Sequence, residues 1–404
     1  MRKRCACRRH LFNRTDAAGP TGPRYVRIAA LAIGWRLVSA VIGWIAMMTV
    51  PLASPSQTTM FAQPNAFWDQ FTRYDAGWYY QIARFGYWFV PGGPSAGIGK
   101  PGKIAYFPLY PFLAGYVGKI FGATQPGIYL GLIVVSWIAF AGAMIVLYRL
   151  ARLDLDERGA ERAVLLTALF PFSFFFGMPY TESVFFLLTL LTFYCFRTQQ
   201  WIAGGVAGAL TTATRVNGVL MGPSLVWIAW KKSRPREWPI ALAGLALVGA
   251  GVGAYSLYVY HLSGNAFEWA SSISRWNYHP GSAPWTAPWQ LATKLVTEPR
   301  HYFRTDPMAL YDTLYGLCAI IFIVSIPFVW MRFGLAYGLF MVANLWLPLS
   351  SGVFEGMGRY CSVLFPFFIW IAAQSRVVST TVAIAFAIMY PIALAMFVTL
   401  RPIF

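Results

Sequence analysis

The run GIYLGLIVVSWIAFAGAMIVLY, residues 127–148, decides the fold class. It contains no charged side chain and, at about 1.5 Å per residue, is long enough as a helix to cross a hydrocarbon core roughly 30 Å thick. Backbone polar groups in lipid must find partners within the chain, and the polarity of this run does not alternate as it would in a barrel strand. The run therefore predicts a transmembrane helix.

Similar runs recur along the 404 residues, of which 58% are hydrophobic and only 11% charged. This composition is typical of a polytopic membrane protein. We predict an all-α bundle of about eleven spans, the first of which is an uncleaved anchor because it is longer than a signal-peptide core. The predicted spans are 28–50, 127–148, 163–178, 180–196, two short helices within 201–230, 238–262, 309–330, 333–349, 361–373 and 377–400.

The net charge of +18 predicts membrane orientation, not a nucleic-acid partner, because Lys and Arg cluster at the ends of apolar runs. The positive-inside rule places a basic tail, residues 1–27, in the cytoplasm. Residues 28–404 are then one transmembrane domain with external loops at 51–126 and 263–308. The aromatic content of the first loop favours amphipathic helices lying in the membrane interface.

A polar stretch in the first external loop, RYDAGWYY at 73–80, is the natural place to look for chemistry. A carboxylate at the water–lipid boundary can act as a general base if it reaches the proton of an acceptor hydroxyl. Asp75 also precedes a plausible helix, where it could serve only as an N-cap. The residues alone leave these two interpretations equal.

The predicted orientation places four further charged residues on the same side as Asp75, namely Glu182, Arg215, Glu355 and Arg359. Arginine suits a phosphate because its planar fork offers paired donors and stays charged. Arg359 and Arg215 could thus hold a phosphate, or they could neutralise Glu355 or Glu182 as structural pairs.

No metal or nucleotide cofactor is predicted. The histidines His261, His279 and His301 lack metal-ligand spacing with nearby carboxylates, although dependence on a loosely held metal stays open. A Walker-type phosphate loop and a glycine-rich dinucleotide fingerprint are both missing from the sequence. Five scattered cysteines argue against a disulfide scaffold.

Five motifs occur in an order that resembles the PIG-V type mannosyltransferases, which belong to the GT-C class of membrane glycosyltransferases. They are RYDAGWYYQIARFGY at 73–87, FPLYP at 107–111, FPFSFFFGMPYTESVFF at 170–186, TRVNG at 214–218 and GMGRYCSVLFPFF at 356–368. Tyr74 stands where many members have Trp. The resemblance is partial, which is consistent with a prokaryotic relative that has another acceptor.

The resemblance implies transfer of a hexose, with mannose expected, from a polyprenyl-phosphate donor, with inversion, on the non-cytoplasmic side of the cell membrane. By the family pattern Asp75 is the catalytic base. We expect Arg359 and Arg215 to bind the donor phosphate. The residues expected to bind acceptor or sugar are Glu182, Tyr180, Trp78, Glu355 and Asn217. Besides the bilayer and the donor, the partner is an unidentified acceptor.

Two other functions remain open. A transporter or flippase for a lipid-linked or polar substrate would also carry charged residues within the membrane, but nearer its midplane and in paired repeats. In a scaffold subunit without activity, Asp75 would be only a helix cap.

Overall fold

The computed structural model describes residues 22–54, 58–89, 102–274 and 281–403. Within these ranges all regular structure is helical and no strand occurs, which confirms the all-α class. Most of the predicted basic tail, residues 1–21, lies outside the described ranges, as do parts of both predicted external loops.

Nineteen α-helices occur in the described ranges. In chain order they are α1 (Gly22–Thr49), α2 (Ala66–Asp69), α3 (Ala76–Phe85), α4 (Leu109–Ile120), α5 (Gln125–Ala151), α6 (Glu157–Leu169), α7 (Glu182–Arg197), α8 (Trp201–Thr214), α9 (Gly222–Lys232), α10 (Trp238–Val248), α11 (Ala250–Ser263), α12 (Glu268–Ser274), α13 (Thr286–Thr297), α14 (Pro299–Thr305), α15 (Ala309–Phe333), α16 (Leu335–Leu349), α17 (Met357–Ser362), α18 (Phe365–Ala372) and α19 (Arg376–Val398). Short 3-10 segments lie at Lys103–Ala105, Ser173–Gly177, Val216–Met221 and Pro235–Glu237.

Four of the helices in the described ranges, α1, α5, α15 and α19, are long and apolar enough to cross a membrane. The pair formed by α10 and α11, bent by 41°, qualifies as a fifth candidate. Other predicted spans correspond to shorter helices, such as the apolar α16. The count of about eleven spans therefore stays a prediction.

Three predicted helices have wrong bounds. The span predicted over 361–373 is divided, because α17 ends at Ser362 and α18 begins at Phe365. The helix predicted over 163–178 ends at Leu169, because Pro171 lacks a backbone N–H and restricts the residue before it. The span predicted over 238–262 is broken at Gly249. Just past the break the backbone passes close to α8, since a Cβ at Gly251 would lie 1.9 Å from the carbonyl oxygen of Ala209.

Two short helices, α2 and α3, lie within the range where the sequence predicts interfacial helices. The Asn65 side chain caps α2 by accepting a hydrogen bond of 3.0 Å from the Phe67 amide. How these helices lie relative to a bilayer stays a prediction.

A buried aromatic core packs between α1, α15, α18 and α19 and supports the short helix α17. The ring of Phe172 touches the backbone of α17, because a Cβ at Gly358 would lie 2.2 Å from its Cδ1. Only glycine allows this approach. The contact sets the position of the next residue, Arg359.

Candidate active site

The backbone of the 73–80 stretch is fixed to the far end of the chain. The Arg73 side chain is 1% exposed and its Nε donates to the Val398 carbonyl at 2.7 Å. The Tyr74 hydroxyl donates to the Arg401 carbonyl at 2.6 Å, and Tyr74 has a φ of 49°, in the left-handed region that is costly for a residue with a Cβ. These contacts fix the direction of Asp75.

The Asp75 carboxylate does not cap a helix. Asp75 occupies the N-cap position of α3, but its side chain makes no capping hydrogen bond. Its Oδ2 accepts a hydrogen bond of 2.7 Å from Nη1 of Arg359, and its Oδ1 accepts one of 3.0 Å from the Tyr106 hydroxyl. The side chain remains 23% exposed, so an acceptor hydroxyl could reach it.

Asp75 is the outer end of a chain of alternating charges that continues through Arg359 and Glu182 to Arg215. Oε1 of Glu182 accepts a 2.8 Å bond from Nε of Arg359 and a second bond from Nη1 of Arg215. Glu182 is fully buried at the first turn of α7, where the helix dipole favours a negative charge. Two carboxylates and two guanidinium groups sum to zero charge, and this pairing offsets the free-energy cost of burying them.

An aromatic platform, formed by the rings of Trp78 and Tyr106, adjoins the Asp75 carboxylate through the Tyr106 hydroxyl. The ring of Trp78 stacks on that of Tyr106 with 6.0 Å between centroids and 15° between planes. Trp78 is only partly buried. An indole face beside a carboxylate is a suitable surface for the apolar face of a sugar ring.

Tyr180 lies beneath this site, fully buried. Its hydroxyl donates to the Arg73 carbonyl and accepts from the Asp75 amide, both at 3.2 Å. The Arg359 guanidinium lies over its ring, 4.7 Å from the centroid. Tyr180 therefore holds the backbone at Asp75 through its hydroxyl and packs against Arg359 through its ring.

Glu355 and Asn217 lie at the edges of the site. Glu355 is exposed on the turn before α17, and desolvation, followed by the charges of Asp75 and Asp312, raises its carboxyl pKa. Asn217 follows the break at Arg215, where the chain is extended between α8 and a 3-10 segment. This break was predicted from the sequence. In the ranges described, the hydrogen bonds that hold the four-charge chain do not involve Asn217.

Sequence reasoning missed Tyr106. It lies one residue before the FPLYP motif, and its hydroxyl is a donor that can bond a carboxylate, although Tyr110 within the motif offers the same group. Burial, with the nearby charge of Asp75, raises its pKa well above the ordinary value, so it stays a hydrogen-bond donor.

Lys103 was also missed. The residue is 5% exposed, its ammonium lies 2.9 Å from the centroid of the Trp88 ring, and its Nζ has no hydrogen-bond partner in the described ranges. Burial lowers its pKa to about 8. The sequence offered little signal for it, because Lys103 follows Lys100 in a Gly- and Pro-rich stretch.

Within the described ranges, which leave out His279, no group of three or more His, Cys, Asp or Glu side chains could hold a metal ion.

A family model described as dolichyl-phosphate-mannose-protein mannosyltransferase matches residues 100–258. The match includes the segments that carry Tyr106, Glu182 and Arg215, and it confirms the resemblance to membrane mannosyltransferases over that part of the chain. The motifs around Asp75 and Arg359 lie outside it. No curated protein matches the sequence.

The solved structures that match this chain include two membrane proteins from different organisms. ArnT from Cupriavidus metallidurans, bound to undecaprenyl phosphate, has 13% identity and a TM-score of 0.49 over 93% of this chain and 77% of its own. The Archaeoglobus fulgidus oligosaccharyltransferase in complex with Zn and sulfate has 15% identity and a TM-score of 0.46. That match covers 92% of this chain, which spans about half, 53%, of the archaeal protein. At these identities residue roles do not transfer from either protein.

Proposed function

We propose that this chain is a multi-pass membrane glycosyltransferase. It moves a hexose, with mannose expected, from a polyprenyl-phosphate donor to an acceptor hydroxyl on the non-cytoplasmic side, with inversion at the anomeric carbon. The N-terminal tail is cytoplasmic in this proposal. The observation that carries it is the partly exposed Asp75 carboxylate, held by Arg359 in a charge-neutral chain and bordered by the Trp78–Tyr106 platform.

In the proposed reaction Asp75 is the general base. The acceptor oxygen forms a bond to the anomeric carbon, the bond from that carbon to the phosphate oxygen breaks, and the hydroxyl proton passes to Asp75. Each carboxylate oxygen has two lone pairs, so Asp75 can accept this proton while it remains bonded to Arg359 and Tyr106. The phosphate leaves with the electron pair, and no nucleotide is needed.

Arg359 and Arg215 are proposed to stabilise the leaving phosphate. Each guanidinium offers five N–H donors, and the bonds to Asp75, Glu182 and Thr181 use only some of them. Both side chains keep some exposure, 13% for Arg359 and 18% for Arg215. Donors already oriented by carboxylates can stabilise developing charge without reorganising.

Lys103 is proposed as a third cation that attracts the donor. It lies three residues before Tyr106, and its ammonium has no anionic partner in the described ranges. An apolar groove of about 180 Å³ lies between α9 and α10, lined by Val219, Gly222, Leu225, Val226, Leu245, Val248 and Gly249. This groove suits part of a prenyl chain.

Glu182 and Tyr180 are assigned to holding Asp75 and Arg359, because both side chains are fully buried. Trp78, Glu355 and Asn217 remain the proposed contacts of sugar or acceptor.

The test is transfer from radiolabelled polyprenyl-phosphate mannose to a panel of alkyl mannosides by purified protein in detergent. Asp75→Asn should retain donor binding and lose at least about 100-fold in kcat, since general-base catalysis contributes 10²–10⁴-fold. The control Asp306→Asn removes another loop carboxylate, one that pairs with Lys294 at 3.6 Å. Near-normal turnover by Asp75→Asn would remove Asp75 from the role of base. Movement of intact donor across proteoliposomes without cleavage would favour transport instead.

A further inference from the structure

The segment between α6 and α7, residues 170–181, is irregular and fully buried. It leads directly into Glu182, and its Phe175 ring lies 5.3 Å from the Arg359 guanidinium. Irregular backbone at membrane depth is tolerated only where its polar groups find partners in the protein. The donors that satisfy this segment therefore fix the site that rests on it.

Backbone amides satisfy five carbonyls of the segment, those of Phe170, Phe172, Phe175, Met178 and Thr181. Side chains supply the further bonds to carbonyls in and next to the segment, which are Trp35 Nε1 to Ala168 at 2.8 Å, Ser173 Oγ to Ala168 at 2.6 Å, Arg36 Nη1 to Ser173 at 2.9 Å, Trp137 Nε1 to Gly177 at 3.0 Å, Ser183 Oγ to Phe176 at 2.6 Å and Ser136 Oγ to Tyr180 at 3.4 Å. Arg36 is the one charged donor in this set.

Arg36 is an unusual residue for its place in the fold. It lies near the middle of α1, a candidate membrane span, and is 1% exposed. Its guanidinium is 4.3 Å from the Phe140 ring centroid, and in the described ranges its Nε and Nη2 have no hydrogen-bond partner. A buried charge with so few partners is expensive in a membrane, which calls for a functional reason.

Arg36 is in close contact with the irregular segment at a second point. A Cβ at Gly177 would lie 3.2 Å from Cδ and 3.3 Å from Nη1 of Arg36. The guanidinium thus contacts both ends of the 3-10 turn Ser173–Gly177, by a hydrogen bond at Ser173 and by packing at Gly177.

We propose that Arg36 is a positioning residue for the transfer reaction. By holding the Ser173–Gly177 turn, Arg36 fixes the Phe175 ring against the Arg359 guanidinium. It also fixes the start of α7, where Glu182 bonds Arg359 and Arg215. This inference rests on the proposed function, since its catalytic consequence needs that reaction.

The experiment compares Arg36→Met, Arg36→Lys and the control Arg27→Met, which makes the same change at an exposed arginine of α1. Arg36→Met should lower kcat by about 10- to 100-fold, as small displacements of a catalytic group do, while the donor KM stays within about 3-fold. Arg36→Lys keeps one donor and should restore part of the rate. Arg27→Met should leave both constants unchanged.

Amide hydrogen exchange over residues 170–181, measured in folded protein, is independent of any reaction. Arg36→Met should raise exchange in this segment by about 10-fold and leave α9, which does not pack on α1, unchanged. Unchanged exchange, or raised exchange with an unchanged kcat, overturns the proposal. If Arg36→Met does not fold, the same criteria apply to Arg36→Lys. If the wild type transfers no sugar, the proposed function fails, and exchange alone decides whether Arg36 holds the turn.

Discussion

Helix α7 carries an ion-pair network at each end, and the two networks differ in a way that separates a site from a structural brace. Glu182 begins the helix and Arg197 ends it, about 22 Å apart at 1.5 Å per residue. Each charge lies at the end of the helix where the dipole favours its sign. Burial is also similar, with side-chain exposures of 13% for both Arg359 and Arg197.

The network at Arg197 is closed. Its Nη2 donates to Oδ1 of Asp154 at 2.8 Å and its Nη1 donates to the other carboxylate oxygen. Nη1 also donates to the Tyr337 hydroxyl at 2.6 Å. This bidentate pair matches one cation to one anion. The network at Glu182 is open-ended, because each inner member has two partners and the outer member, Asp75, keeps an exposed face. An ion pair alone is therefore no sign of a site.

The largest effect is expected at the open network. Glu182→Gln removes the negative charge that separates Arg359 from Arg215, so the two cations repel each other and Arg359 moves relative to Asp75. We expect kcat to fall by about 100-fold, which is within the 10²–10⁴-fold contribution of general acid–base catalysis. Steady-state transfer assays measure this. A kcat within about 3-fold of wild type would contradict the proposed importance of the chain.

The closed network should respond in stability and not in rate. Breaking a fully buried pair costs 3–5 kcal/mol, and the residual exposure of Asp154 and Arg197 reduces the expected cost of Asp154→Asn to about 2 kcal/mol. Thermal unfolding in detergent should show a lower midpoint, while kcat of the folded protein stays within about 3-fold. A loss of kcat comparable to that of Glu182→Gln would mean that the two networks do not differ as proposed.

The smallest effect concerns pH. Burial lowers the pKa of Lys103 from its ordinary 10.5 to about 8, so its charge is lost above that pH. If this cation attracts the donor, donor affinity should fall by up to about 10-fold as pH rises through 8. The folded-state pKa is below the unfolded one, so the cost of burying the charged lysine is relieved as pH rises from 8 to 10.5, and stability rises with it. Unfolding through Lys103 therefore cannot cause the loss of affinity. The same decline in Lys103→Gln would exclude the residue.

Much of the charged site was predictable, because Asp75, Arg215 and Arg359 each interrupt or end an apolar run. The positive-inside rule then assigns them to one side. The bonds among them were not predictable, since a guanidinium can serve a phosphate or a carboxylate equally well. The structure shows that carboxylates occupy Arg359 and Arg215, while either could still use its remaining donors.

Other features depend on tertiary contacts that a single sequence does not reveal. Arg73 bonds a carbonyl 325 residues away, and no periodicity reports such a pair. The end of α6 is different, because Pro171 was visible in the sequence. The helix over 163–178 was predicted from hydrophobicity alone, without regard to this proline. The bend near Gly249 reflects close packing against α8, which depends on the partner helix as well as on the glycines.

The proposed proton transfer to Asp75 leaves the chain from Asp75 to Arg215 with one carboxylate and two guanidinium groups, and this positive charge has a consequence for turnover. A lipid-linked sugar phosphodiester carries one negative charge, whereas the lipid phosphate monoester left after transfer carries about 1.5 to 2 at neutral pH. The same arginines therefore attract the spent carrier more strongly than the donor. In the proposed reaction, departure of the lipid phosphate becomes the slow step, and the released carrier competes with fresh donor for the enzyme.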